Sequence, residues 1–338
     1  NRLYAINRET GVPFEDFGTD GWVDLRAGLG RPVESISVSA SSPGVVFDDL
    51  LVMGSSMSES LPSAPGDIRA YNIYSGELTW SFHTIPHPGE FGYDTWPPDA
   101  WEIVGGANAW SGLSLDRDRG IVFASTGSPS YDFYGANRVG DNLFGNTILA
   151  LDARTGERIW HFQGIRHDLW DRDFPAPPAL VTVERDGRQV DAIAQITKTG
   201  HVFVLARETG EPLFPIEEVE MPGPVLPGEW TAPTQPFPVI PPPVARQTLT
   251  RDELTTRTPE AAASALATFE EYSVTHAWDP PDTTGIILYP GTDGGGEWGG
   301  PAFDPETGLL YMNSNEQGWL LKLVEPSDES LYSARCAS

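Results

Sequence analysis

Cysteine, lysine and long apolar runs are all scarce in this sequence. The only cysteine, Cys336, lies near the carboxyl end, so no disulfide can form within the chain. Lysine occurs only at Lys198 and Lys322 among the 21 basic residues, which makes each lysine notable. No apolar run reaches the roughly 18 residues that a membrane-spanning helix needs, so the sequence predicts no such helix.

Positive charge is also in short supply. The 338 residues include 48 acids and 21 bases, which gives a formal net charge of −27. This balance argues against nucleic acid as a partner, because phosphate binding requires basic patches. It suits solubility and the binding of cations.

Glycine, proline and tryptophan are plentiful instead. The chain has 35 glycines, 31 prolines and 11 tryptophans. This profile is typical of a loop-rich, all-β protein in which aromatic side chains anchor the sheets.

A turn followed by an aromatic residue recurs along the chain. A small or apolar strand leads into a polar turn, then a Thr-Gly or Ser-Gly pair and an aromatic residue. The four copies are "AINRETGVPF" (5–14), "AYNIYSGELTW" (70–80), "ALDARTGERIW" (150–160) and "VLARETGEPLF" (204–214). Their glycines, Gly11, Gly76, Gly156 and Gly210, suit turns that need a positive φ.

Two further stretches, 113–125 and 301–314, each predict a hairpin with a tight Asp-to-Gly turn. Short strands recurring at irregular intervals of about 40–80 residues favour a β-propeller with insertions in some blades. The alternative, a β-sandwich, does not explain the repeated turn and aromatic residue. We expect Trp80 and Trp160 to dock between neighbouring blades.

Two segments depart from the strand pattern. Residues 251–272 predict one helix, and residues 222–243 form a proline-rich segment. The simplest interpretation of the proline-rich segment is a linker. Because blades are predicted on both sides, we expect an ordered loop that crosses one face.

Acidic and aromatic residues are crowded in "RHDLWDRDFP" (166–175). A buried strand seldom tolerates three carboxylates, since an unpaired buried charge is very costly. A solvated turn seldom contains both a tryptophan and a histidine. The stretch therefore indicates a functional site, and we expect His167 and Asp168 to orient the loop. The structural alternative is a turn whose acids cap a strand.

Several long stretches together resemble the quinoprotein dehydrogenases that depend on pyrroloquinoline quinone (PQQ), especially the glucose dehydrogenase-like branch. They include "WHFQGIRHDLWDRDFPAPP", "KTGHVFVLARETGEP", "TAPTQPFP", "GGANAW" and "DGGGEWGGPAFDPETGLLYMNSNE". The resemblance implies an all-β, eight-bladed β-propeller, present here as an incomplete set of blades over 1–326. Residues 222–272 would be a proline-rich and helical insertion in it.

The chemistry of this family explains why such residues recur. Oxidising a hydroxyl group with a quinone requires a base, a Lewis acid and a flat wall for the ring. The resemblance implies that Asp171 is the catalytic base and also borders the metal. It makes Asp173 an additional metal ligand and places Lys198 against the quinone oxygens, where it would stabilise negative charge.

The same resemblance assigns the other cofactor contacts. Trp110 would support the PQQ ring with its face. Ser41 and Ser56 would bind the PQQ carboxylates, and Asp293 and Trp298 would close the opposite side.

Two more positions complete the expected metal site. Glu59 matches a calcium-ligand glutamate of the alcohol-oxidising relatives, and calcium takes six to eight oxygen ligands. Ser128 stands where the family often has an asparagine, which is a departure from its pattern. The metal is expected to be Ca²⁺, with magnesium or a lanthanide as alternatives.

The chain ends suggest a fragment. The opening "NRLYAINRETG" is typical of the middle of a strand and turn. The closing "LYSARCAS" predicts that residues 327–338 begin a truncated segment, with Cys336 as the first cysteine of a c-type haem attachment motif. The alternative is a lone buried cysteine.

The resemblance implies a periplasmic PQQ-dependent dehydrogenase that is associated with the inner membrane. Its substrate would be a sugar, polyol or alcohol, and electrons would pass to a haem c or to a membrane quinone such as ubiquinone. One alternative is a non-catalytic propeller scaffold of the outer-membrane assembly type, which would have no use for the acids, Lys198 and Trp110 together. Another is a glycoside hydrolase, which would use paired carboxylates without a cofactor.

Overall fold

Short strands of apolar and β-branched residues dominate the structure. The computed structural model describes residues 1–274, 277–324 and 333–337. Within these residues the strands are β1 (Arg2–Leu3), β2 (Val23–Asp24), β3 (Val38–Ser39), β4 (Val45–Phe47), β5 (Leu50–Met53), β6 (Ser56–Met57), β7 (Ile68–Asn72), β8 (Leu78–Phe82), β9 (Leu113–Asp116), β10 (Ile121–Ser125), β11 (Thr147–Asp152), β12 (Arg158–Gln163), β13 (Ala179–Arg185), β14 (Arg188–Ile196), β15 (Val202–Ala206), β16 (Ile216–Glu220), β17 (Thr234–Pro238), β18 (Ser273–Val274), β19 (Ile286–Leu288), β20 (Ala302–Asp304), β21 (Leu309–Tyr311), β22 (Trp319–Val324) and β23 (Ser333–Ala337). The helices in the same residues are α1 (Ala100–Ile103), α2 (Pro259–Glu271) and the short 3₁₀ turns Val33–Ser35, Tyr93–Thr95, Ala136–Arg138 and Arg251–Glu253.

Most strands pair with their sequence neighbours in antiparallel meanders. The sheets run in the orders β4-β5-β7-β8, β9-β10-β11-β12 and β13-β14-β15. A further sheet has the order β18-β19-β22-β23, and the pair β20-β21 forms the expected second hairpin. The first expected hairpin is β9-β10. Both hairpin predictions are therefore confirmed.

The sheet β9–β12 is buried on both faces. Along β10, Ile121 and Phe123 join one apolar cluster with side chains from β14 and β15. The alternate residues Val122 and Ala124 join another cluster with side chains from β5 and β7. Because successive side chains of a strand point to opposite faces, a sheet packed between two others needs a continuous apolar run.

The first strands of successive sheets lie next to one another. Strand β4 approaches β9, β9 approaches β13, and β13 approaches β20. These strands start their sheets or hairpin at one edge. The sheets therefore fan outward from a common side, as the blades of a propeller do.

The repeated glycine turns are confirmed. Gly11, Gly76, Gly156 and Gly210 have φ values of 70°, 76°, 74° and 72°. Two of these glycines also contact a tryptophan ring from the preceding sheet. A Cβ atom on Gly156 would lie 2.5 Å from the ring of Trp80, and one on Gly210 would lie 2.6 Å from the ring of Trp160.

Each of these two indoles also makes a hydrogen bond across the seam, which is the boundary where one sheet packs against the next. The N–H groups donate to the carbonyl three residues before the glycine, at 3.3 Å for Trp80 and 3.0 Å for Trp160. The docking role expected for both tryptophans is confirmed. The first repeat differs, because Phe14 is 47% exposed while the nearby Phe17 is buried against Gly76.

The helix expected over 251–272 is interrupted. A 3₁₀ turn covers Arg251–Glu253, and the α-helix α2 begins only at Pro259. Proline disfavours helical backbone in the residue before it, and Thr258 is extended. The Thr258 side chain then caps the new helix by accepting a hydrogen bond from the Ala261 amide, at 3.1 Å.

The proline-rich segment lies against the sheets. Part of it forms β17, which pairs with β16. Gln235 is buried, accepts from the Arg166 amide at 2.8 Å and donates to the Arg166 carbonyl at 2.7 Å. These contacts tie the segment to the start of the acidic stretch.

The end of the chain is described only in part. Residues 325–332 and 338, which cover most of the predicted truncated segment, lie outside the described residues. The backbone of Cys336 belongs to β23, which pairs antiparallel with β22. Haem attachment at Cys336 stays a prediction.

Candidate active site

A cavity of about 250 Å³ opens where the predicted catalytic segments meet. Five separate pieces of the chain line it. The lining residues are Ser56, Met57, Glu59, Asn108, Trp110, Ser128, Asp132, Asp171, Asp173 and Lys198.

Lys198 holds two carboxylates at once. Its Nζ lies 2.8 Å from Asp171 Oδ2 and 2.9 Å from Asp173 Oδ2. The Lys198 amide also donates to the Asp173 carbonyl at 3.1 Å, which fixes the two segments side by side. Burial opposes a charge on Lys198, but the two carboxylates outweigh it and raise the pKa of the ammonium group.

The two acids differ in proton affinity. Burial raises the pKa of Asp171 well above its usual range, and the Lys198 charge offsets this only in part. Burial would do the same to Asp173, but Lys198 and the amide of Ser128, at 2.7 Å, lower the pKa of Asp173. Asp171 is therefore the stronger base, while Asp173 is the permanent partner of the ammonium group.

Asp171 sits in an unusual backbone conformation, with φ at 54°. The preceding acid, Asp168, accepts hydrogen bonds from the amides of Trp170 at 2.9 Å and Arg172 at 2.6 Å. It also accepts from the side chains of Asn146, at 2.8 Å, and Ser128. These bonds fix the loop in its strained form, as expected for Asp168.

His167 anchors the other end of the stretch. Its Nδ1 lies 2.9 Å from the Gly140 carbonyl and its Nε2 lies 3.2 Å from a Glu229 carboxylate oxygen. Burial lowers the pKa of this imidazole, and the contact with Glu229 opposes the change. The expectation that His167 orients the loop agrees with these contacts.

Trp110 forms one wall of the cavity. Gly127 passes close behind it, and a Cβ there would lie 3.2 Å from the indole nitrogen and 2.3 Å from Asp173 Oδ1. A glycine at this position lets the backbone approach both side chains. The Ser41 hydroxyl donates to the Trp110 carbonyl at 2.8 Å.

Seven of the predicted site residues share this cavity. They are Ser56, Glu59, Trp110, Ser128, Asp171, Asp173 and Lys198. Three others do not line it: Ser41 contacts Trp110 from behind, Asp293 accepts from the Trp319 indole at 2.8 Å, and Trp298 donates to Ser42 Oγ at 3.1 Å. Trp298 is 58% exposed and borders a different groove.

The predicted metal ligands are close but already engaged. The Ser128 hydroxyl donates to Asp168, and both Asp171 and Asp173 contact Lys198. Among the residues that the structure describes, no three His, Cys, Asp or Glu side chains are arranged to hold a metal ion.

Three functional candidates were missed by sequence reasoning. Asn108 lies two residues before Trp110 in "GGANAW", so that motif could have pointed to it. Glu297 precedes Trp298; burial raises its pKa, and Lys198 lowers it in part. Asp132 lines the cavity, but as a single acid in "SPSYDFYG" it carried no signal.

Comparisons with known proteins identify a family that matches this chain. The family model "PQQ: Glucose/ethanol/alcohol dehydrogenase, beta-propeller domain" matches residues 1–337. The quinate/shikimate dehydrogenase (quinone) of Acinetobacter baylyi is 32% identical over 334 residues, covering 98% of this chain and 41% of that protein. Quinoprotein glucose dehydrogenase A of Acinetobacter calcoaceticus is 31% identical over 342 residues, covering 97% of this chain and 41% of that protein.

A solved structure shows the same fold. The quinohemoprotein alcohol dehydrogenase from Comamonas testosteroni superimposes with a TM-score of 0.67 at 21% identity, over 95% of this chain and 42% of that one. The chain thus spans about two fifths of the length of the curated relatives described above, at 41% of each. Among the described residues, no helix is both long enough and apolar enough to cross a membrane.

Proposed function

Because the chain belongs to the β-propeller family of PQQ-dependent glucose, ethanol and alcohol dehydrogenases, we propose that its protein oxidises a hydroxyl group of a sugar, polyol or alcohol with PQQ. The observation that carries the proposal is the contact of Lys198 with both Asp171 and Asp173 in a cavity walled by Trp110. A structural ion pair would not need an open cavity beside it.

The lining residues fit the cofactor. PQQ is a flat tricyclic quinone with three carboxylates, and Trp110 offers a flat aromatic wall. Lys198 supplies the cation for the quinone oxygens, and Ser56 supplies a hydroxyl donor for a carboxylate. Bound PQQ supplies the hydride acceptor that no side chain can provide.

Asp171 then acts as the base. Its raised pKa makes it a stronger proton acceptor than a free carboxylate, and its Oδ2 is held in place by Lys198. Lys198 also stabilises the negative charge that develops opposite it during oxidation. Asp173 keeps Lys198 charged and fixed when Asp171 takes up a proton.

A divalent cation fits the same cavity only with help from the cofactor. Asp173 and Glu59 would supply carboxylate oxygens, which suit Ca²⁺, and cofactor oxygens would complete the shell.

The rest of the proposal concerns the whole protein. The sheets of this chain would form part of an eight-bladed ring in the periplasm, associated with the inner membrane. Electrons would leave through a haem c or through ubiquinone. The described sheets, which fan out from one side, support the ring geometry.

The decisive experiment uses the complete protein prepared without cofactor. We expect dye reduction on sugars, polyols or alcohols only when both PQQ and Ca²⁺ are added, with quenching of tryptophan fluorescence on PQQ binding. Absence of both quenching and turnover would favour a non-catalytic scaffold. Cleavage of glycosides without any addition would identify a hydrolase instead.

A further inference from the structure

Two acids at the cavity, Glu59 and Asp132, make no hydrogen bond and no ion pair among the described residues; Glu59 is exposed, whereas Asp132 is half-buried. Asp171 and Asp173 are held by Lys198, and Asp168 is fully used in holding its loop. The side-chain oxygens of Asp132 are therefore available to a ligand in the cavity, as acceptors and, when the acid is protonated, also as a donor.

The backbone holds Asp132 firmly on both sides. The buried Arg138 donates to the Tyr131 carbonyl at 2.8 Å. The Gly135 amide donates to a Glu229 carboxylate oxygen at 2.8 Å. Phe133, directly after Asp132, packs against the apolar cluster between the sheets. This support is what a binding residue requires, because a precise site depends on side chains that do not need to be reordered.

The surroundings of Asp132 are negative. Burial raises its pKa, and Glu59 and Asp173 raise it further, while Lys198 and Arg138 act in the opposite direction. A ligand that brings another negative charge would be repelled by Glu59 and Asp173, whereas a neutral hydroxyl group could form a hydrogen bond with the open carboxyl group of Asp132.

We infer that Asp132 is a specificity residue that accepts a hydrogen bond from a second hydroxyl of the substrate, next to the one that is oxidised. The site therefore selects neutral polyhydroxy compounds over simple alcohols and over hydroxy acids. This inference rests on the proposed function, because the reacting hydroxyl is placed at Asp171. It separates the two kinds of relative described above, favouring sugars over quinate.

The test compares Asp132→Asn with the wild-type complete protein on glycerol, 1-propanol and quinate. The charge is lost while the shape is kept. We expect kcat/KM for glycerol to fall about tenfold, the effect of one lost hydrogen bond at a buried polar group. The value for 1-propanol should stay within about twofold, and quinate should remain a poor substrate because Glu59 and Asp173 are unchanged.

A matched control and a second measurement make the result specific. Asp118→Asn makes the same charge change on the exposed turn between β9 and β10 and should leave all three values unchanged. PQQ affinity, followed by tryptophan quenching with and without Ca²⁺, should be the same in Asp132→Asn as in the wild type. Asp132→Ser serves as a second variant if the amide destabilises the fold.

The contrary outcomes are distinct. A tenfold loss of PQQ or Ca²⁺ affinity with unchanged substrate ratios would make Asp132 a cofactor or metal ligand and overturn the inference. Unchanged values throughout would overturn it as well. A wild-type protein with no PQQ-dependent turnover would instead overturn the proposed function, and the inference with it.

Discussion

The seams between sheets and the cavity solve opposite physical problems. At the seams, Trp160 packs on the Gly210 turn, and its indole N–H donates a hydrogen bond to a backbone carbonyl. At the cavity, Lys198 sits with Asp171 and Asp173, and only one cation faces the two acids. The seams bury apolar surface, which stabilises the fold, while the cavity buries charges, which costs stability.

This difference shows where the molecule places its strain. Asp171 is held at a positive φ by bonds from its neighbours, whereas positive φ at the seams falls on glycines that tolerate it. A non-glycine residue in this conformation is sustained only where the surrounding contacts enforce it. We therefore expect the seams to govern stability and the cavity to govern activity.

The variant Asp171→Asn should separate activity from stability more strongly than any other change. The amide cannot accept the substrate proton, so kcat should fall about 10²–10⁴-fold in the PQQ-loaded complete protein. The free energy of unfolding should change by less than about 1 kcal/mol, because Lys198 remains paired with Asp173 and a costly buried charge is removed. Dye-coupled turnover and urea unfolding measure the two effects, and turnover within threefold of wild type would refute the assignment.

The reverse result should come from Trp160→Ala at the seam. Removing a buried indole and leaving a cavity should cost about 3–5 kcal/mol of unfolding free energy. The matched control is Tyr74→Ala, because Tyr74 is 76% exposed and its loss should cost less than about 0.5 kcal/mol. Denaturant unfolding measures both, and a cost below about 1 kcal/mol at Trp160 would show that the seam is not a major source of stability.

Asp67→Asn sharpens the comparison, because Asp67 is a buried acid that does not line the cavity. Burial raises its pKa to about 6 from 3.8, while His83 and Arg69 lower it in part. One of its oxygens, Oδ1, has no hydrogen-bond partner. If buried acids destabilise the fold outside the cavity too, removing this charge should stabilise the protein near neutral pH.

The direction of the pH dependence follows from the raised pKa. At Asp67 the folded state binds a proton more tightly than the unfolded state. The contribution of Asp67 to the free energy of unfolding is therefore most favourable below pH 4 and is lost as the pH rises through about 6. The Asp67→Asn variant should therefore gain up to about 3 kcal/mol over wild type at pH 8. The gain should disappear near pH 4. Urea unfolding across this pH range measures the gain, and a gain that does not change with pH, or that has the opposite sign, would contradict the prediction.

Local patterns predicted the seams well. The Thr-Gly and Ser-Gly turns, both hairpins and the docking of Trp80 and Trp160 follow from φ preferences and strand alternation within about ten residues. The prediction was wrong where a neighbour changed the local preference. The helix expected over 251–272 begins only at Pro259, because proline disfavours helical backbone in the residue before it.

The cavity was predictable only as far as family resemblance reached. It gave Asp171, Asp173, Lys198 and Trp110, which the structure brings to one cavity. It did not give Asp132, because nothing in the neighbouring sequence distinguishes that acid from the other 47 acids of the chain. Its position depends on the nearby Arg138 and on Glu229, which belongs to another part of the chain.

The sequence by itself determined an all-β chain of repeated strands and glycine turns, without an internal disulfide, because these features depend on composition and on neighbouring residues. Tertiary structure decided which charges meet. Lys198 lies 27 residues after Asp171 (198 − 171), yet its ammonium group contacts two acids and leaves Asp132 without a partner among the described residues. Such contacts depend on how whole sheets pack, and a change in sheet position of an ångström or two would alter the electrostatic energies that set their chemistry.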